Sequence, residues 1–496
     1  MEKQEGKYLK FILIPIYVLF FVSLLFVVSV TVFMPQDNLI PKQTFLMALG
    51  VPVVSLTAFF LWNKFYKDSK LNLVFYIIFL LIYAAILYLA GMYLGDRWDL
   101  TLGDYYSVRK FARQIASGTH ELTDYEYLLI YNNNIKPVLF LSVFLKTARF
   151  FHFTEFFFTM VFSVLQTVIT VWAVNVLLEK NKDKKWNLIT LFLSMICLPI
   201  YVFTSMFYTD MMSYGLGIIL LALIKISMNK KGLIKYALIV LSSFLFIYGM
   251  QWKITAIFPV IAAAIVLVTR GIKKYKNEIL GFVIATATFY LLSVIWGNTY
   301  PVTKESKETS NPSISWFAMG LKGDGSYLEN KNFVDELNSL PTKKMKTEFS
   351  IERIKEGYKE GLTFNHQIRK AHTNFAGGSL GSKNYLTEFS DGSFFWDLLS
   401  PWGKYYWRTS QYNFCFIIMI YMIILLGAAL SIIDLIRGKK LPVEKMIADI
   451  SFLGIIIFLM LWEANCRQMF NQIPVLILGA VANGRYIVGK INKKHT

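Results

Sequence analysis

The charged residues best placed for chemistry lie beside the ends of long apolar segments. Asp104 opens the stretch 103–115, in which apolar residues recur at helical spacing. Such an amphipathic helix is suited to a membrane surface. Asp is also a preferred N-cap residue, and on spacing alone the cap is the favoured interpretation. The alternative is a carboxylate held at the mouth of a membrane domain. Both roles can coexist only if one oxygen of Asp104 is left free.

Asp210 lies in a very short turn between the apolar segments 187–207 and 210–228. A carboxylate so close to the hydrocarbon boundary is costly unless it is paired, solvated or bound to a cation. A helix cap for the following segment and a functional carboxylate are therefore equally favoured here.

Two cations occupy comparable turns. Lys253 follows Trp252 at the end of an apolar segment, and Arg467 lies just beyond Glu463 at the end of another. Snorkelling to the interface would explain Lys253, and an ion pair with Glu463 would explain Arg467. The functional alternative for both cations is a phosphate, whose oxygens match the guanidinium fork.

The segment after the third apolar stretch carries further polar candidates. Asp96 stands next to Arg97, which favours a solvated pair, while Asp99 could support Asp104. Farther along, Asn133 and Asn134 belong to a run of three asparagines before a short apolar segment. Such a run is typical of a turn or cap, and its amides could also bind sugar hydroxyls.

The elements that must position these residues are transmembrane helices. The chain of 496 residues is 55% hydrophobic, and its mean hydropathy is +0.47, values that indicate an integral membrane protein. A crossing helix needs about 20 apolar residues. The sequence predicts an all-α polytopic protein of about twelve spans, at 9–33, 44–62, 71–93, 154–179, 187–207, 210–228, 233–250, 254–269, 278–297, 412–436, 447–463 and 470–489.

The net charge of +19 comes largely from short loops between these spans. Basic loops mark the cytoplasmic side of a membrane protein. They lie at 63–70, 180–186, 229–235, 270–277, 437–445 and 490–496. All six fall on one side only if the short apolar segment 137–150 does not cross but forms an interfacial or re-entrant helix on the outer side. We therefore predict a multi-pass protein of the cell membrane with both termini in the cytoplasm.

Three regions follow from this topology. Residues 1–297 form a transmembrane module with a large outer loop at 94–153, residues 298–411 form a small extracytoplasmic lobe, and residues 412–496 form the last helices. Helices are expected near 345–372 in the lobe. There, His366, Arg369 and His372 would share one helical face, for which a solvated surface is the favoured interpretation.

Several kinds of protein are disfavoured by what the sequence lacks. The three cysteines and five histidines show no disulfide or metal-site spacing. The sequence contains neither a phosphate-binding loop nor a dinucleotide fingerprint. The basic charge is explained by topology, so nucleic-acid binding is not expected.

A series of short motifs on the predicted outer side carries a family resemblance. The motifs are Asp104-Tyr105-Tyr106 with Ala112 and Gly118, Asn132-Asn133-Asn134 with Lys136-Pro137, Tyr208-Thr209-Asp210, Trp252-Lys253 with Thr255, Asn311-Pro312-Ser313 through Gly320, and Trp462-Glu463 with Arg467 and Pro474. Their order resembles the GT-C class of membrane glycosyltransferases, which includes dolichyl-phosphate-mannose-dependent protein mannosyltransferases and related Gram-positive proteins. The chain departs from the pattern at Gln468, where an aromatic residue is usual.

The resemblance implies an inverting transfer of a sugar from a polyprenyl-phosphate carrier. The acceptor would be a cell-envelope polysaccharide, a teichoic acid or a protein on the outer face of the membrane. It assigns Asp104 as the base or acceptor-positioning carboxylate, with Asp210 assisting. Lys253 and Arg467 would hold the carrier phosphate. Asp99, Asn133, Asn134 and Glu463 would support the site or bind sugar.

A divalent metal, Mg²⁺ or Mn²⁺, bound through Asp210 is left open by the resemblance, because members of the class differ in their need for one. The expected partners are the lipid-linked donor, the glycan or protein acceptor and membrane lipid. The alternative function is a transporter or flippase of a lipid-linked saccharide, and a third is a non-catalytic partner in envelope assembly. A transporter of this kind would favour an inverted repeat, and none is visible in the sequence.

Overall fold

The computed structural model describes residues 2–37, 39–66, 70–95, 103–119, 122–179, 185–271, 275–382 and 393–492. Within these ranges the regular structure is helical, with no β-strand. The first twelve α-helices are α1 Glu2–Phe33, α2 Pro41–Phe65, α3 Lys70–Gly95, α4 Gly103–Ala116, α5 Glu126–Ile130, α6 Ile135–Phe150, α7 Glu155–Leu178, α8 Asn187–Met195, α9 Leu198–Thr204, α10 Thr209–Ser213, α11 Leu216–Ser227 and α12 Gly232–Trp252.

The remaining α-helices are α13 Phe258–Arg270, α14 Lys276–Asn298, α15 Pro301–Thr309, α16 Ile314–Met319, α17 Lys331–Ser339, α18 Lys343–Gly361, α19 Phe364–Phe375, α20 Phe394–Leu399, α21 Tyr406–Ile436, α22 Val443–Leu461 and α23 Ile473–Asn492. Three 3₁₀ segments, Asn132–Asn134, Ile254–Ile257 and Cys466–Gln472, lead into α6, α13 and α23.

Nine helical segments in the described residues are long and apolar enough to cross a membrane. A tenth is available if α8 and α9, which meet at a bend of 67°, count as one span. Each of the twelve predicted segments is helical, but two fall short of a span by composition or length. The helical run Ile254–Arg270 is short, and α22 carries Glu444, Lys445 and Asp449. The chain is thus all-helical with nine or ten candidate spans, while the count of twelve stays a prediction.

The described residues of the basic loops gather at one end of the helical bundle, which we call the basic end. Lys225 of α11 donates to the carbonyl of Val176 at 2.8 Å, near the end of α7. Arg270 at the end of α13 donates to the carbonyl of Leu441, in the loop before α22. These contacts join helix ends and loops that are far apart in sequence.

Helix α6 lies across the opposite end rather than crossing the bundle. Its Phe140 packs against Trp252 at 6.2 Å and Trp296 at 5.2 Å between ring centroids, and these are last-turn residues of α12 and α14. Its Phe144 packs against Phe158, in the first turn of α7, at 6.4 Å. A helix that contacts the ends of three long helices runs along their rim, which agrees with the non-spanning segment predicted at 137–150.

Helices α15 to α19 pack together over this same end. The backbone N–H of Asn311 donates to the carbonyl of Ile130 at 2.9 Å, and that of Ala464 donates to the carbonyl of Gly325 at 2.8 Å. The region has a small hydrophobic cluster of its own, formed by Ala318, Met319, Phe333, Val334 and Leu337. Helices α18 and α19 cover the interval 345–372, for which the sequence predicts helix, and α21 begins at Tyr406, ahead of the predicted boundary at 412.

The solvated face predicted in this region is wrong for His366. Its side chain is fully buried, and its ring nitrogens lie 3.0 Å from the carbonyl of Gly323 and 3.2 Å from that of Gly320. Arg369, one helical step away, is half-exposed and pairs with Glu360. His372, farther along the helix, is half-buried, so the three side chains do not form one solvated surface.

Candidate functional site

Asp210 lies between two cations at the end of the bundle opposite the basic end. Its Oδ1 accepts a hydrogen bond from Lys253 Nζ, and its Oδ2 lies 3.2 Å from Arg467 Nε. The carboxylate belongs to the first turn of α10, the lysine follows the last residue of α12, and the arginine lies in the 3₁₀ segment before α23. Three turns that are distant in sequence thus meet at one ion-pair cluster.

Close packing and buried amides hold these three turns together. A Cβ on Gly217 would stand 2.5 Å from the carbonyl oxygen of Ala256, so only glycine lets α11 approach the turn that carries Lys253. Asn471 Nδ2 donates to Thr255 Oγ1 at 2.8 Å, and Gln472 Nε2 donates to the Thr255 carbonyl at 2.9 Å. The segment carrying Arg467 is therefore anchored on the segment carrying Lys253.

The Asp210 turn is recessed into the bundle. Gln166, near the middle of α7, donates to the carbonyls of Met212 at 3.1 Å and Tyr214 at 2.8 Å. The turn therefore lies well below the start of α7 at Glu155. Asp210 itself is 1% exposed, so it relies on Lys253 and Arg467 for stabilisation of its charge.

The simpler interpretations of Asp210 and Lys253 do not hold. Tyr208, not Asp210, is the residue that precedes α10 at the N-cap position. The Lys253 side chain is 13% exposed and turns inward to Asp210 instead of snorkelling outward. Burial lowers the pKa of Lys253, and the neighbouring Asp210 carboxylate opposes that shift. The Arg467 guanidinium also lies over the Tyr208 ring, 5.6 Å from its centroid.

Asp104 is held by a tyrosine rather than serving as a helix cap. It lies inside the first turn of α4, and its Oδ1 accepts a hydrogen bond from the Tyr127 hydroxyl at 2.5 Å. Asn134 Nδ2 donates to the same hydroxyl, also at 2.5 Å. The second oxygen, Oδ2, accepts no hydrogen bond from the described residues. One oxygen is thus oriented by Tyr127, and the other is left for a further partner.

Aromatic contact and charge connect Asp104 to the Asp210 cluster. Tyr105, the neighbour of Asp104, packs edge-on against Tyr208 with ring centroids 5.9 Å apart. Burial raises the pKa of Glu463 to about 7, opposed by Arg467 and Lys253 and reinforced by Asp104. Glu463 is thus electrostatically linked to both cations and to Asp104.

Among the described residues, no salt bridge is seen between Glu463 and Arg467. Arg467 forms a salt bridge with Asp210. Of the two asparagines, Asn134 is buried and supports Tyr127, while Asn133 is exposed. Asp96 and Asp99 lie outside the described residues.

Sequence reasoning missed the residues that support the site. Tyr127 and Asn471 are examples, and neither stands in a distinctive pattern. The chain has 28 tyrosines, so the residue type alone does not single out Tyr127. Tyr208 stands in the quoted motif that contains Asp210, but the motif does not reveal its contact with Arg467.

The partners of Asp210 occupy the oxygens that a divalent metal would need. Both of its oxygens face cationic groups, Lys253 and Arg467. A metal ion could use this carboxylate only after those cations move away, because like charges repel at this range. In the observed arrangement these residues do not fit a metal site, and metal dependence stays a prediction.

Comparison with known proteins identifies the chain at the level of a family. No curated protein and no solved structure matches it. One family model, described as a conserved hypothetical integral membrane protein, matches residues 7–486, which is nearly the whole chain. The protein is therefore a member of this family of integral membrane proteins.

Proposed function

We propose that the protein is an inverting glycosyltransferase that takes a sugar from a polyprenyl-phosphate carrier. One observation carries the proposal: the three turns that bear Asp210, Lys253 and Arg467 converge, with Asp104 close by. Such a reaction needs a base for the acceptor hydroxyl and cations for a leaving phosphate, and the cluster supplies both.

Asp104 is the base or acceptor-positioning carboxylate in this proposal. The acceptor oxygen attacks the anomeric carbon while its proton passes to Asp104 Oδ2, the oxygen not bonded to Tyr127. The bond between the anomeric carbon and the carrier phosphate oxygen breaks, and its electron pair stays on the phosphate. Attack from the face opposite the leaving group inverts the anomeric centre.

Lys253 and Arg467 stabilise the phosphate as its negative charge grows. Asp210 pairs with both cations, through Oδ1 with Lys253 and through Oδ2 with Arg467. Asp210 also fixes both cations in place before the donor binds. Little conformational entropy is therefore lost in ordering them during the reaction. In this scheme Asp210 assists through the cations rather than by contact with the sugar.

The cellular side of the site follows from chemistry and topology together. The basic loops favour placing their end of the bundle in the cytoplasm, which puts the Asp104 site on the outer face. Nucleotide sugars are not available there, so a lipid-linked donor is required. The acceptor would be a cell-envelope glycan, a teichoic acid or a protein.

The direct test is a transfer assay with the full chain in membrane vesicles and a labelled polyprenyl-phosphate sugar. We expect Asp104→Asn to lower the transfer rate by about 10²–10⁴-fold, the usual contribution of a general base. Tyr106→Phe is the control, because Tyr106 is exposed on the same helix. Normal transfer by a well-folded Asp104→Asn variant would refute the role of Asp104.

The same assay separates the rival functions. If the lipid-linked sugar crosses the vesicle membrane without losing its carrier, a flippase replaces the transferase. If neither movement nor transfer occurs with any donor or acceptor tried, and the chain instead co-purifies with an active transferase, it is an assembly partner.

A second test addresses topology. In a chain without its three native cysteines, Arg437→Cys marks the basic end and Tyr106→Cys marks the site end, and both positions are exposed. An impermeant thiol reagent applied to intact cells should label residue 106 only. Labelling of residue 437 alone would place the site in the cytoplasm and contradict the outer-face proposal.

A further inference from the structure

A large cavity lies far from the Asp104 site, at the basic end. It encloses about 920 Å³ between α7, α11, α12, α13, α14 and α22. This is near the upper limit of the range of about 300–1,000 Å³ that is usual for pockets that bury small molecules. Its wall is almost entirely apolar, with Ala264, Leu267 and Phe282 among the lining side chains. We call it the basal crevice.

The basal crevice is open on one side rather than closed. Ala264 lines it and is exposed, and α14, which forms one wall, is the least buried of the candidate spans, with 6% of its apolar window buried. An apolar opening between transmembrane helices faces acyl chains, because water would gain no hydrogen bonds from such a wall. The interior is therefore suited to hydrocarbon.

The rim of the basal crevice is charged, and its cations exceed its anions. Glu278 and Glu444 are each neutralised by a neighbouring cation, Lys235 and Arg485. Three further cations lie on the rim, and two of them are bonded to main-chain carbonyls rather than carboxylates: Lys225 to Val176 and Arg270 to Leu441.

The third of these cations, Lys440, is exposed on the rim. Glu179 is the one rim carboxylate outside the two salt bridges, since Lys225 bonds its main-chain carbonyl and not its side chain. Three cations against one carboxylate leave the rim positive among the described residues.

We propose that the basal crevice binds an anionic glycerophospholipid, with its acyl chains against the apolar wall and its phosphate beside Arg270 and Lys440. Basic pockets between transmembrane helices suit such headgroups because the positive rim and the hydrocarbon wall match both parts of the lipid. Charge complementarity selects an anionic lipid over a zwitterionic one. This binding site is independent of the proposed transferase chemistry and would persist if that proposal failed.

The test is native mass spectrometry of the purified full chain titrated with phosphatidylglycerol or phosphatidylcholine. We expect one phosphatidylglycerol to bind in preference to phosphatidylcholine. Removing the exposed charge with Lys440→Ala should weaken that binding by about fivefold, as expected for one lysine beside an anionic lipid. Arg437→Ala is the matched control, because it removes a cation from the same loop but outside the crevice.

A second pair of variants tests the crevice itself. Ala264→Trp fills it and should abolish the preferred binding, whereas Ala287→Trp places the same bulk on the exposed side of α14, away from the crevice, and should leave it intact. Ala264→Leu serves if the larger residue prevents folding. Equal binding of the two lipids, or equal behaviour of the Ala264 and Ala287 variants, would overturn the proposal.

Discussion

Two of the aspartates that are buried beside lysines, Asp449 and Asp210, differ in their surroundings. Near the basic end, Asp449 Oδ2 accepts hydrogen bonds from Lys445 Nζ at 2.5 Å and from Tyr17 at 3.1 Å, and its Oδ1 accepts one from Asn483 at 2.8 Å. At the opposite end, Asp210 Oδ2 is fully buried and faces Arg467, yet it accepts no hydrogen bond from the described residues.

We call Lys445–Asp449 the closed pair, because both charges are fully enclosed. We call Asp210 with Lys253 and Arg467 the open pair, because its cations are partly exposed. Lys445 and Asp449 are almost completely enclosed, with side chains 0% and 1% exposed, and both oxygens of the carboxylate are satisfied. Asp210 instead balances two cations, Lys253 and Arg467, which are 13% and 16% exposed. The closed pair joins α1, α22 and α23, whereas both cations of the open pair stay partly exposed. Burial alone therefore does not mark a functional site in this bundle.

The largest predicted effect comes from breaking the closed pair. Lys445→Met should lower the free energy of unfolding by about 3–5 kcal/mol, because it leaves the Asp449 carboxylate buried and uncompensated. Thermal unfolding in detergent measures the change. The double variant with Asp449→Leu should recover most of the loss, since an apolar pair needs no desolvated charge. Failure of the double variant to recover stability would contradict a purely structural role.

Removal of a cation from the open pair should act on activity instead. Arg467→Gln is expected to slow sugar transfer by about 10²-fold, the usual cost of losing one donor to a developing anion. Its unfolding temperature should change little, since Lys253 still pairs with Asp210. Arg437→Gln, an exposed arginine at the basic end, is the control. Equal transfer rates for the two variants would remove Arg467 from the proposed site.

A smaller effect is expected from the tyrosine that holds Asp104. Tyr127→Phe removes one hydrogen bond to the carboxylate, which is worth about 1.5 kcal/mol when the acceptor is charged. The transfer rate should fall by about tenfold. Tyr125→Phe removes a comparable bond, to Glu305, away from Asp104 and should have no effect. If the two variants behave alike, Tyr127 does not position the base.

The smallest effect concerns pH. Burial raises the pKa of Glu463 to about 7 from its ordinary value of 4.5, so the folded state holds this proton more tightly than the unfolded state. The resulting stability is present below about pH 4.5 and is lost as pH rises through 7. Between pH 4.5 and pH 7, the free energy of unfolding of the natural chain should therefore fall by on the order of 1 kcal/mol relative to that of Glu463→Gln. This figure is reduced to allow for the partial exposure of Glu463. Parallel melts at pH 5 and pH 8 measure this difference, and identical pH profiles would show that Glu463 is not buried as described.

Much of the helical framework can be predicted from the sequence, because long apolar runs and basic loops are strong signals. The non-spanning α6 follows from charge alone, since a crossing at 137–150 would reverse the side of the basic loop at 180–186. The number of spans is harder to predict, because α22 carries the charged residues Lys445 and Asp449. These two charges neutralise each other only through packing that also involves Tyr17 and Asn483. No local pattern reveals such a long-range contact.

The candidate site is predictable only in part for the same reason. Asp210, Lys253 and Arg467 stand at the ends of apolar segments, which made them visible. Their pairing depends on Gly217 and Asn471, which bring α11, α13 and α23 together. The cap interpretation of Asp104 failed because helix spacing gives no information about Tyr127, a partner from another element.

The contrast between the two aspartates can be measured directly by comparing Asp210→Asn with Asp449→Asn. Each variant is assayed for sugar transfer per folded molecule and for thermal unfolding. We expect Asp210→Asn to lose transfer but keep most of its stability, and Asp449→Asn to lose stability but keep transfer in the folded fraction. Full transfer by a folded Asp210→Asn variant would contradict the central claim that the open pair at this end of the bundle is the functional site.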